Sequence, residues 1–335
     1  MLRGIWLGGT VALTLGCYVA SIALAPAGSA QPVPALGGLL FLGTSVHVAT
    51  TAWFWSVPEV RGHMLARRGR YVLAPVALVV GTAVLAAAAS PRAFVWILPV
   101  FLAWQFFHFQ KQNLGLAALS ATAYGAGRLD RGERACVTAA GVAGIVALLS
   151  RPELLQLTVD LRLRFLFPPA AIAYSAAVGA GCVLLLRRRR PGGAFVAVYV
   201  MSLLFFLPVF LFASPYAAVA GLTAAHGYQY LLIMALVAGG GRPGLSRLVS
   251  LALLLNIGLL LGTVLNLASH LHDSSAAGRA LYGAYLGAVM AHFVIDAGLW
   301  RLRDEFPRRF LTRRLPYLLG AGRPSAAAAP ADRVH

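Results

Sequence analysis

Four histidines lie deep inside long apolar stretches of the sequence, where an ionisable side chain is costly and usually marks function. They are His47, His108, His226 and His292. Counting from the predicted outer ends of these stretches places three of the imidazoles at nearly one depth, with His108 slightly deeper. Neutral imidazole is a common ligand for iron, copper and zinc. The pattern therefore predicts a mid-membrane metal centre with these four histidines as ligands.

Each of the four histidines is followed, three or four positions later, by a polar residue on the same helix face. These residues are Thr51, Gln112, Gln229 and Asp296. We expect Gln112, Gln229 and Asp296 to act beside the metal as catalytic residues that orient ligands or handle protons. Asp296 has an alternative role as a ligand, in a two-histidine, one-carboxylate set with His226 and His292.

A simpler interpretation applies to any one of these histidines. A histidine in a transmembrane bundle often forms only a hydrogen bond between helices, which contributes on the order of 1 kcal/mol. Four imidazoles at matched depth favour the metal centre over four separate bonds of this kind.

Two further groups of histidines lie outside the apolar stretches. His63 follows Glu59 by four positions in a basic loop, where it is either a solvated side chain or an extension of the site from inside. His270 and His272 precede Asp273 in a predicted outer loop. Such a short cluster is a weak candidate for a second metal site.

The composition identifies the class of protein that positions these residues. Of the 335 residues, 59% are hydrophobic and only 11% are charged. Soluble domains average roughly 45–50% apolar and about 25% charged residues, and disordered chains are poor in apolar residues. Both classes are excluded, and the chain is predicted to be an all-α, polytopic integral membrane protein.

The apolar stretches predict about ten transmembrane helices, since each needs about 20 residues to cross the hydrocarbon core. They cover residues 4–25, 36–57, 71–90, 93–118, 135–150, 168–186, 194–213, 216–239, 245–268 and 281–301. Together they form one helical transmembrane domain over residues 1–320. The remainder, 321–335, is rich in Ala and Pro and is predicted to be a disordered cytoplasmic tail.

The basic residues predict the orientation of the bundle. The net charge is +18, and counting along ten spans places 23 of the 28 basic residues on one side of the membrane. The positive-inside rule makes that side cytoplasmic, which predicts a multi-pass protein of the cell (inner) membrane with both termini inside. No nucleic-acid partner is expected, because the arginines are divided among short loops and a tail.

Two terminal segments carry further expectations. Arg3, an apolar run and the small residues 28–30 resemble a signal peptide, but the run is longer than usual, so we favour a retained first helix. Residues 301–320 mix arginines with Phe306, Phe310, Leu311 and Leu315, a pattern that suits contact with anionic membrane lipids.

The segments around the four histidines carry a resemblance to known proteins. The strings HVATTAWFW, FHFQKQNLG, AHGYQYLL and AHFVIDAGLWRLR resemble those of uncharacterised bacterial multi-pass membrane proteins. In its general plan the chain is also similar to the Brp/Blh family of membrane β-carotene dioxygenases, helical proteins with histidines on several spans that are thought to hold iron. The resemblance implies oxidative chemistry on a lipophilic substrate. No family residue is carried across, because the family's histidine motifs do not overlay these strings.

The leading hypothesis is a membrane-embedded, histidine-ligated metal oxygenase or related oxidoreductase that acts on a lipophilic or amphiphilic small molecule. Iron is the expected metal and copper the second choice. The substrate would arrive from the bilayer or the cytoplasmic leaflet, aromatic residues would exclude water from the site, and a redox partner is possible.

Two alternatives remain open from the sequence. One is a haem b protein that transfers electrons across the membrane, with paired histidines as axial ligands. The other is a proton-coupled transporter in which His292 and Asp296 form the proton-carrying pair.

Overall fold

The protein is a bundle of α-helices. The computed structural model describes residues 1–26, 32–157, 159–189, 191–240, 247–272 and 275–320, and within these ranges it contains no β-strand. In chain order the helices are α1 (Leu2–Ala23), α2 (Pro34–Phe41), α3 (His47–Thr50), α4 (Trp53–Ser56), α5 (Pro58–Ala66), α6 (Ala74–Ala88), α7 (Pro91–Phe94), α8 (Leu98–Ala123), α9 (Arg131–Ser150), α10 (Phe167–Arg187), α11 (Gly193–Leu204), α12 (Leu207–Leu211), α13 (Gly221–Gly239), α14 (Arg247–Ser269), α15 (Ala276–Leu299), α16 (Glu305–Arg314) and α17 (Pro316–Leu319). The predicted all-α fold is confirmed.

Nine helical stretches in the described part of the chain are long and apolar enough to cross a bilayer. They are Leu2–Ala23, Pro34–Ser56, Gly69–Ala88, Arg92–Ala123, Arg131–Ser150, Arg164–Arg187, Tyr216–Gly239, Arg247–Ser269 and Ala276–Leu299. Their number and composition make the chain a multi-pass membrane protein, as the sequence predicts.

The seventh predicted span, residues 194–213, is divided into two helices. Helix α11 ends at Leu204, and α12 begins at Leu207. Pro208 explains the division, because its ring clashes with the carbonyl four residues earlier, at Leu204, and it has no N–H to donate. The fifth predicted span is longer than expected, since α9 begins at Arg131 behind a capping box formed by Asp130 and Glu133.

Three of the spanning stretches contain a π-helical segment. Leu42–Val46 ends directly before α3, Gly69–Leu73 precedes α6, and Tyr216–Ala220 precedes α13. A π-helical turn accommodates an extra residue and changes which side chains face the neighbouring helices. Two of these three segments lie on the stretches that carry His47 and His226.

Polar contacts group the helix ends into the two sides that the arginine count predicts. At the arginine-rich end, which carries residue 1 and residues 301–320, the pairs are Tyr124–Arg3 (2.9 Å), Arg188–Glu133 (3.5 Å) and Arg313–Glu59. At the opposite end they are Arg279–Ala86 (3.3 Å), Arg151–Phe212 (3.4 Å) and Arg164–Glu153 (3.4 Å). Each of these contacts joins residues expected on the same side.

The C-terminal helices pack on the bundle. Phe310, Leu311 and Leu315 are buried in a cluster with Met64 and Val237. The apolar residues that suggested lipid contact are therefore used for packing within the protein, while Arg308 and Arg309 are exposed. The predicted disordered tail, the small residues 28–30 and Asp273 lie outside the described residues.

Candidate metal centre

The structure brings the four predicted histidines together in the middle of the bundle. Ring centroids of His47 and His226 are 5.0 Å apart, and those of His47 and His292 are 5.1 Å apart. His108 closes the group at 5.1 Å from both His226 and His292. His47, His226 and His292 are at most 4% exposed. The four imidazoles thus form one cluster, which the metal-centre prediction requires.

Close packing of helix backbones positions His47 against His226. A Cβ atom added to Gly227 would lie 1.9 Å from the carbonyl oxygen of Gly43, and one added to Gly43 would lie 2.7 Å from Cα of Ala224. Neither position has room for a methyl group. Small residues of this kind let transmembrane helices approach closely, and here they bring α13 against the segment that carries His47.

Helix α14 holds the same segment from another side. Cβ atoms added at Gly258 and Gly262 would lie 2.8 Å from Thr50 Cγ2 and 2.9 Å from Val46 Cα. The π-helical segment Leu42–Val46 is thus enclosed between α13 and α14. This enclosure fixes the rotation of the helix at His47.

Two phenylalanines stack on the imidazoles of neighbouring helices. Phe109 follows His108 but stacks on His226, at 4.0 Å with an interplanar angle of 20°. Phe293 follows His292 but stacks on His108, at 4.4 Å and 25°. Each phenylalanine therefore restricts the ring of a histidine on another helix, which limits the directions in which the ring nitrogens point.

Several ring nitrogens of the cluster are buried and form no hydrogen bond within the described residues. They include Nε2 of His47, His108, His226 and His292, together with Nδ1 of His226. A buried polar atom without a partner costs about 1–3 kcal/mol. Because all four rings lie side by side, one shared ligand could satisfy atoms from every helix of the cluster.

A chain of hydrogen bonds leads from Asp296 to one of the imidazoles. Tyr230 donates its hydroxyl proton to Asp296 Oδ1 at 2.9 Å. The Tyr230 oxygen lies 3.0 Å from Thr51 Oγ1, and Thr51 Oγ1 lies 2.6 Å from Nδ1 of His292. The three bonds join residues of three different spanning stretches.

The direction of this chain determines the tautomer of His292. The Tyr230 hydroxyl donates its one proton to Asp296 Oδ1, so its oxygen accepts from Thr51. The Thr51 oxygen then accepts from Nδ1–H of His292. We infer from this order that Nε2 of His292 carries a free lone pair, as a metal ligand requires.

Two groups of three side chains have geometry suited to an ion. His47, His226 and His292 form one, and His108, His292 and Asp296 form the other, with the potential ligand atoms of each group within 4.8 Å of one another. Asp296 Oδ2 lies 3.7 Å from His292 Nε2. The structure thus groups Asp296 with His108 and His292, whereas the sequence suggested His226 as the second histidine.

The two glutamines contact the cluster through the backbone. Gln112 donates to the carbonyl of His226 at 2.9 Å and to Gln229 Oε1 at 3.0 Å. Gln229 in turn donates to Thr14 Oγ1 at 2.7 Å. These bonds tie α8 and α1 to the turn of α13 that carries His226, so both glutamines position a ligand residue.

Two residues of the hydrogen-bonded chain have roles that the sequence did not predict. Thr51 was paired with His47 on its own helix, but its hydroxyl bonds to His292 instead. Tyr230 is the second of these residues, and its hydroxyl joins Thr51 to Asp296. A signal for it exists, because Tyr230 follows His226 by four positions, the spacing that Thr51, Gln112 and Asp296 also have.

The remaining histidines lie away from the cluster. His63 lies on α5 and stacks on Phe306 at 3.9 Å. His270 is exposed at the end of α14, where its Nδ1 lies 2.7 Å from the carbonyl of Asn266. Since Asp273 is outside the described residues, the predicted outer cluster is represented only by its two histidines.

A small cavity of about 10 Å³ lies beside the cluster, toward the arginine-poor end. Its wall includes Thr44, Gln105 and Thr223, each three positions before one of the clustered histidines. Phe109 and Phe293 also line it. A space of this size holds about one water-sized molecule.

Comparisons of the chain with family models, with curated proteins and with solved structures find no match.

Proposed function

We propose that the protein is a membrane-embedded oxidoreductase of the oxygenase class, with a metal ion held by His47, His108, His226 and His292. Iron is the expected metal and copper the second choice. The substrate is a lipophilic or amphiphilic small molecule. Localisation in the inner membrane with both termini in the cytoplasm belongs to the same proposal and rests on the distribution of arginines.

The observation that carries the proposal is the set of four partnerless Nε2 atoms in one buried cluster. A water molecule could satisfy two to four polar atoms, but imidazoles from four helices are costly to bury in a membrane for that purpose alone. A cation of the first transition series is the partner that neutral imidazole prefers.

The spacing of the rings supports a single ion. Four imidazoles on one ion, at about 2.0–2.1 Å from nitrogen to metal, place neighbouring ring centroids roughly 4.5–5.1 Å apart for square-planar to tetrahedral angles. The four neighbouring pairs here are separated by 5.0–5.1 Å. This spacing is compatible with four imidazoles around one ion, while the side chains whose ligand atoms already lie within 4.8 Å of one another form two triads that share His292.

The surroundings support redox chemistry on a small reactant. An iron or copper ion would supply one-electron chemistry and activation of dioxygen. The cavity of about 10 Å³ beside His47 has room for a diatomic molecule or a water. The chain Asp296–Tyr230–Thr51 can hold a proton next to His292, and the stacked phenylalanines exclude bulk water.

Metal analysis of the purified full-length protein tests the proposal. We expect about one iron or copper ion per chain, and loss of that ion when the four clustered histidines are replaced together by alanine. The variant His270→Ala is the control, because His270 is exposed and lies outside the cluster. Metal-dependent uptake of dioxygen in the presence of lipophilic membrane extracts, measured in the same two variants, tests the oxygenase reaction.

Three results would contradict this function. The absence of bound metal after reconstitution with iron and copper would exclude the centre, and so would full metal retention in the four-histidine variant. Metal binding without any oxygen uptake or redox change would leave the metal site but exclude the oxygenase.

The haem alternative is less compatible with the geometry. Imidazole rings 5.0–5.1 Å apart contact one another and leave no space for a porphyrin between them. A Soret band in the purified protein would overturn this argument directly.

Proton-coupled transport is the second candidate function. The hydrogen-bonded chain from His292 through Thr51 and Tyr230 to Asp296 is the observation that favours it, because such chains can conduct protons. A pH-dependent flux in metal-free liposomes that survives replacement of His47 but not of Asp296 would support transport over the enzyme.

A further inference from the structure

A second candidate site lies at the arginine-rich end, separate from the histidine cluster. It is a cavity of about 460 Å³ between α5, the turn that follows it, the end of α15 and α16. The lining residues are His63, Arg67, Arg70, Tyr71, Arg301, Asp304, Glu305, Phe306, Pro307 and Arg309. Its volume lies within the range of about 300–1,000 Å³ that is typical of small-molecule sites.

The charges around the cavity are unbalanced. Four arginines line it, against two acidic residues. Arg301 lies 3.8 Å from Asp304, but Arg67, Arg70 and Arg309 form no ion pair with a carboxylate in the described part of the chain. Guanidinium groups that surround one space attract an anion strongly, and their mutual repulsion falls when it binds.

Two of the cationic side chains are held in place by the protein. Arg70 donates from Nε to the carbonyl of Val294 at 3.4 Å, and its guanidinium lies 5.7 Å from the ring centre of Tyr71. Arg67 donates from Nη1 to Nδ1 of His63 at 2.8 Å. Partly ordered guanidinium groups lose less conformational entropy when they bind a ligand.

His63 contributes a neutral donor to the same cavity. Burial lowers the pKa of His63 and the neighbouring Arg67 charge lowers it further, while Asp304 opposes both. A neutral ring that accepts from Arg67 at Nδ1 carries its proton on Nε2. Stacking on Phe306 at 3.9 Å keeps the ring against the cavity wall.

We propose that this cavity binds a phosphate-bearing anion through Arg67, Arg70 and Arg309. Planar guanidinium groups bind phosphate oxygens in pairs, which makes arginine well suited to such ligands. The phosphate belongs either to the head group of a membrane lipid or to a soluble phosphorylated molecule. This site does not depend on the metal centre.

Matched arginine pairs test the site in the purified full-length protein. Arg70→Gln and Arg309→Gln change residues that line the cavity, whereas Arg68→Gln and Arg308→Gln change exposed neighbours that do not. The probes are inorganic phosphate in detergent micelles, followed by calorimetry, and nanodiscs of phosphatidylglycerol or phosphatidylcholine, followed by native mass spectrometry. Thermal unfolding of each variant verifies that it folds.

We expect saturable binding of one anion per chain. Each lining variant should weaken it by about 10-fold or more, and each neighbouring variant by less than about 2-fold. Saturation by free phosphate identifies a soluble ligand, and saturation by phosphatidylglycerol alone identifies a lipid. Equal losses in both members of a pair, or binding that never saturates, would overturn the proposal, because either result indicates a generally basic surface.

Discussion

At the scale of single residues, the burial of Asp296 requires an explanation. Asp296 is 4% exposed and lies three residues before the end of the spanning helix α15, where an unpaired buried carboxylate is costly. Within the described residues it has no lysine or arginine within 4.0 Å, and its polar contacts include Tyr230 and His292. A bound metal cation next to His292 would supply the missing positive charge. The proposed metal centre would therefore account for the carboxylate as well as for the imidazoles.

Replacing Tyr230 by Phe tests the hydrogen-bonded chain. The change removes the only hydroxyl between Asp296 and Thr51, so Nδ1 of His292 is no longer connected to a carboxylate. We expect metal affinity to fall by about 10–100-fold, as with other outer partners of metal ligands. Competition with a chelator measures this affinity.

Tyr228→Phe is the control for that substitution. Tyr228 lies two positions away on the same helix but belongs to the packing around the neighbouring core cluster. The Tyr228→Phe substitution should therefore leave the metal affinity unchanged. Equal affinities in Tyr230→Phe and Tyr228→Phe would exclude the proposed role of the chain.

At the scale of helices, the site depends on how closely backbones approach. The depth of each histidine could be predicted from the sequence, because spans of about 20 residues share their ends at the two membrane surfaces. The residue of another helix that each histidine contacts could not be predicted in this way. Thr51 bonds to a histidine on α15 and Phe109 stacks on one on α13, and such contacts depend on which helices are adjacent.

The division between α11 and α12 is another feature that could not be predicted from the sequence. Pro208 lies inside the predicted span 194–213, but transmembrane helices often tolerate proline, so the residue alone does not predict the division. The sequence also does not indicate that the glycines at positions 43 and 227 lie in contact. Their importance appears only when α13 lies against the segment before α3.

Gly227→Ala tests whether this contact positions the cluster. The added methyl group would lie 1.9 Å from the Gly43 carbonyl oxygen, so α13 must move away or the fold must weaken. Overpacking of this kind costs about 1–3 kcal/mol or more. We expect a lower unfolding temperature and weaker metal binding, measured on the same purified sample.

Gly38→Ala provides the comparison for Gly227→Ala. No atom lies within 4 Å of the added Cβ at this position of α2. Alanine favours a helix over glycine by roughly 0.5–1 kcal/mol, so this variant should be at least as stable as the parent. Similar destabilisation by both substitutions would show that the close approach of α13 is not what matters.

At the scale of the whole molecule, one helix connects the two candidate sites. Helix α15 carries His292 in the cluster and Asp296 near its end, and Arg301 follows the helix at the wall of the arginine-lined cavity. The seven residues from His292 to Leu299 correspond to about 10 Å along the axis, so the cavity lies about two helical turns beyond the cluster on the arginine-rich side. The orientation of the bundle thus decides from which compartment an anion reaches the cavity.

Cysteine labelling tests that orientation. Leu65 is 54% exposed at the arginine-rich end, and Phe165 is 70% exposed at the opposite end. The native cysteines Cys17, Cys136 and Cys182 are first replaced by serine. Two variants of this chain are then made, one with only Leu65→Cys and the other with only Phe165→Cys. A membrane-impermeant maleimide added to intact spheroplasts should label Phe165→Cys strongly and Leu65→Cys only after lysis, because 23 of 28 basic residues lie on the side of Leu65. The reverse labelling pattern would invert the topology and place the anion cavity on the side away from the cytoplasm. Labelling of both variants before lysis would contradict the assignment of these two segments to opposite sides of the membrane.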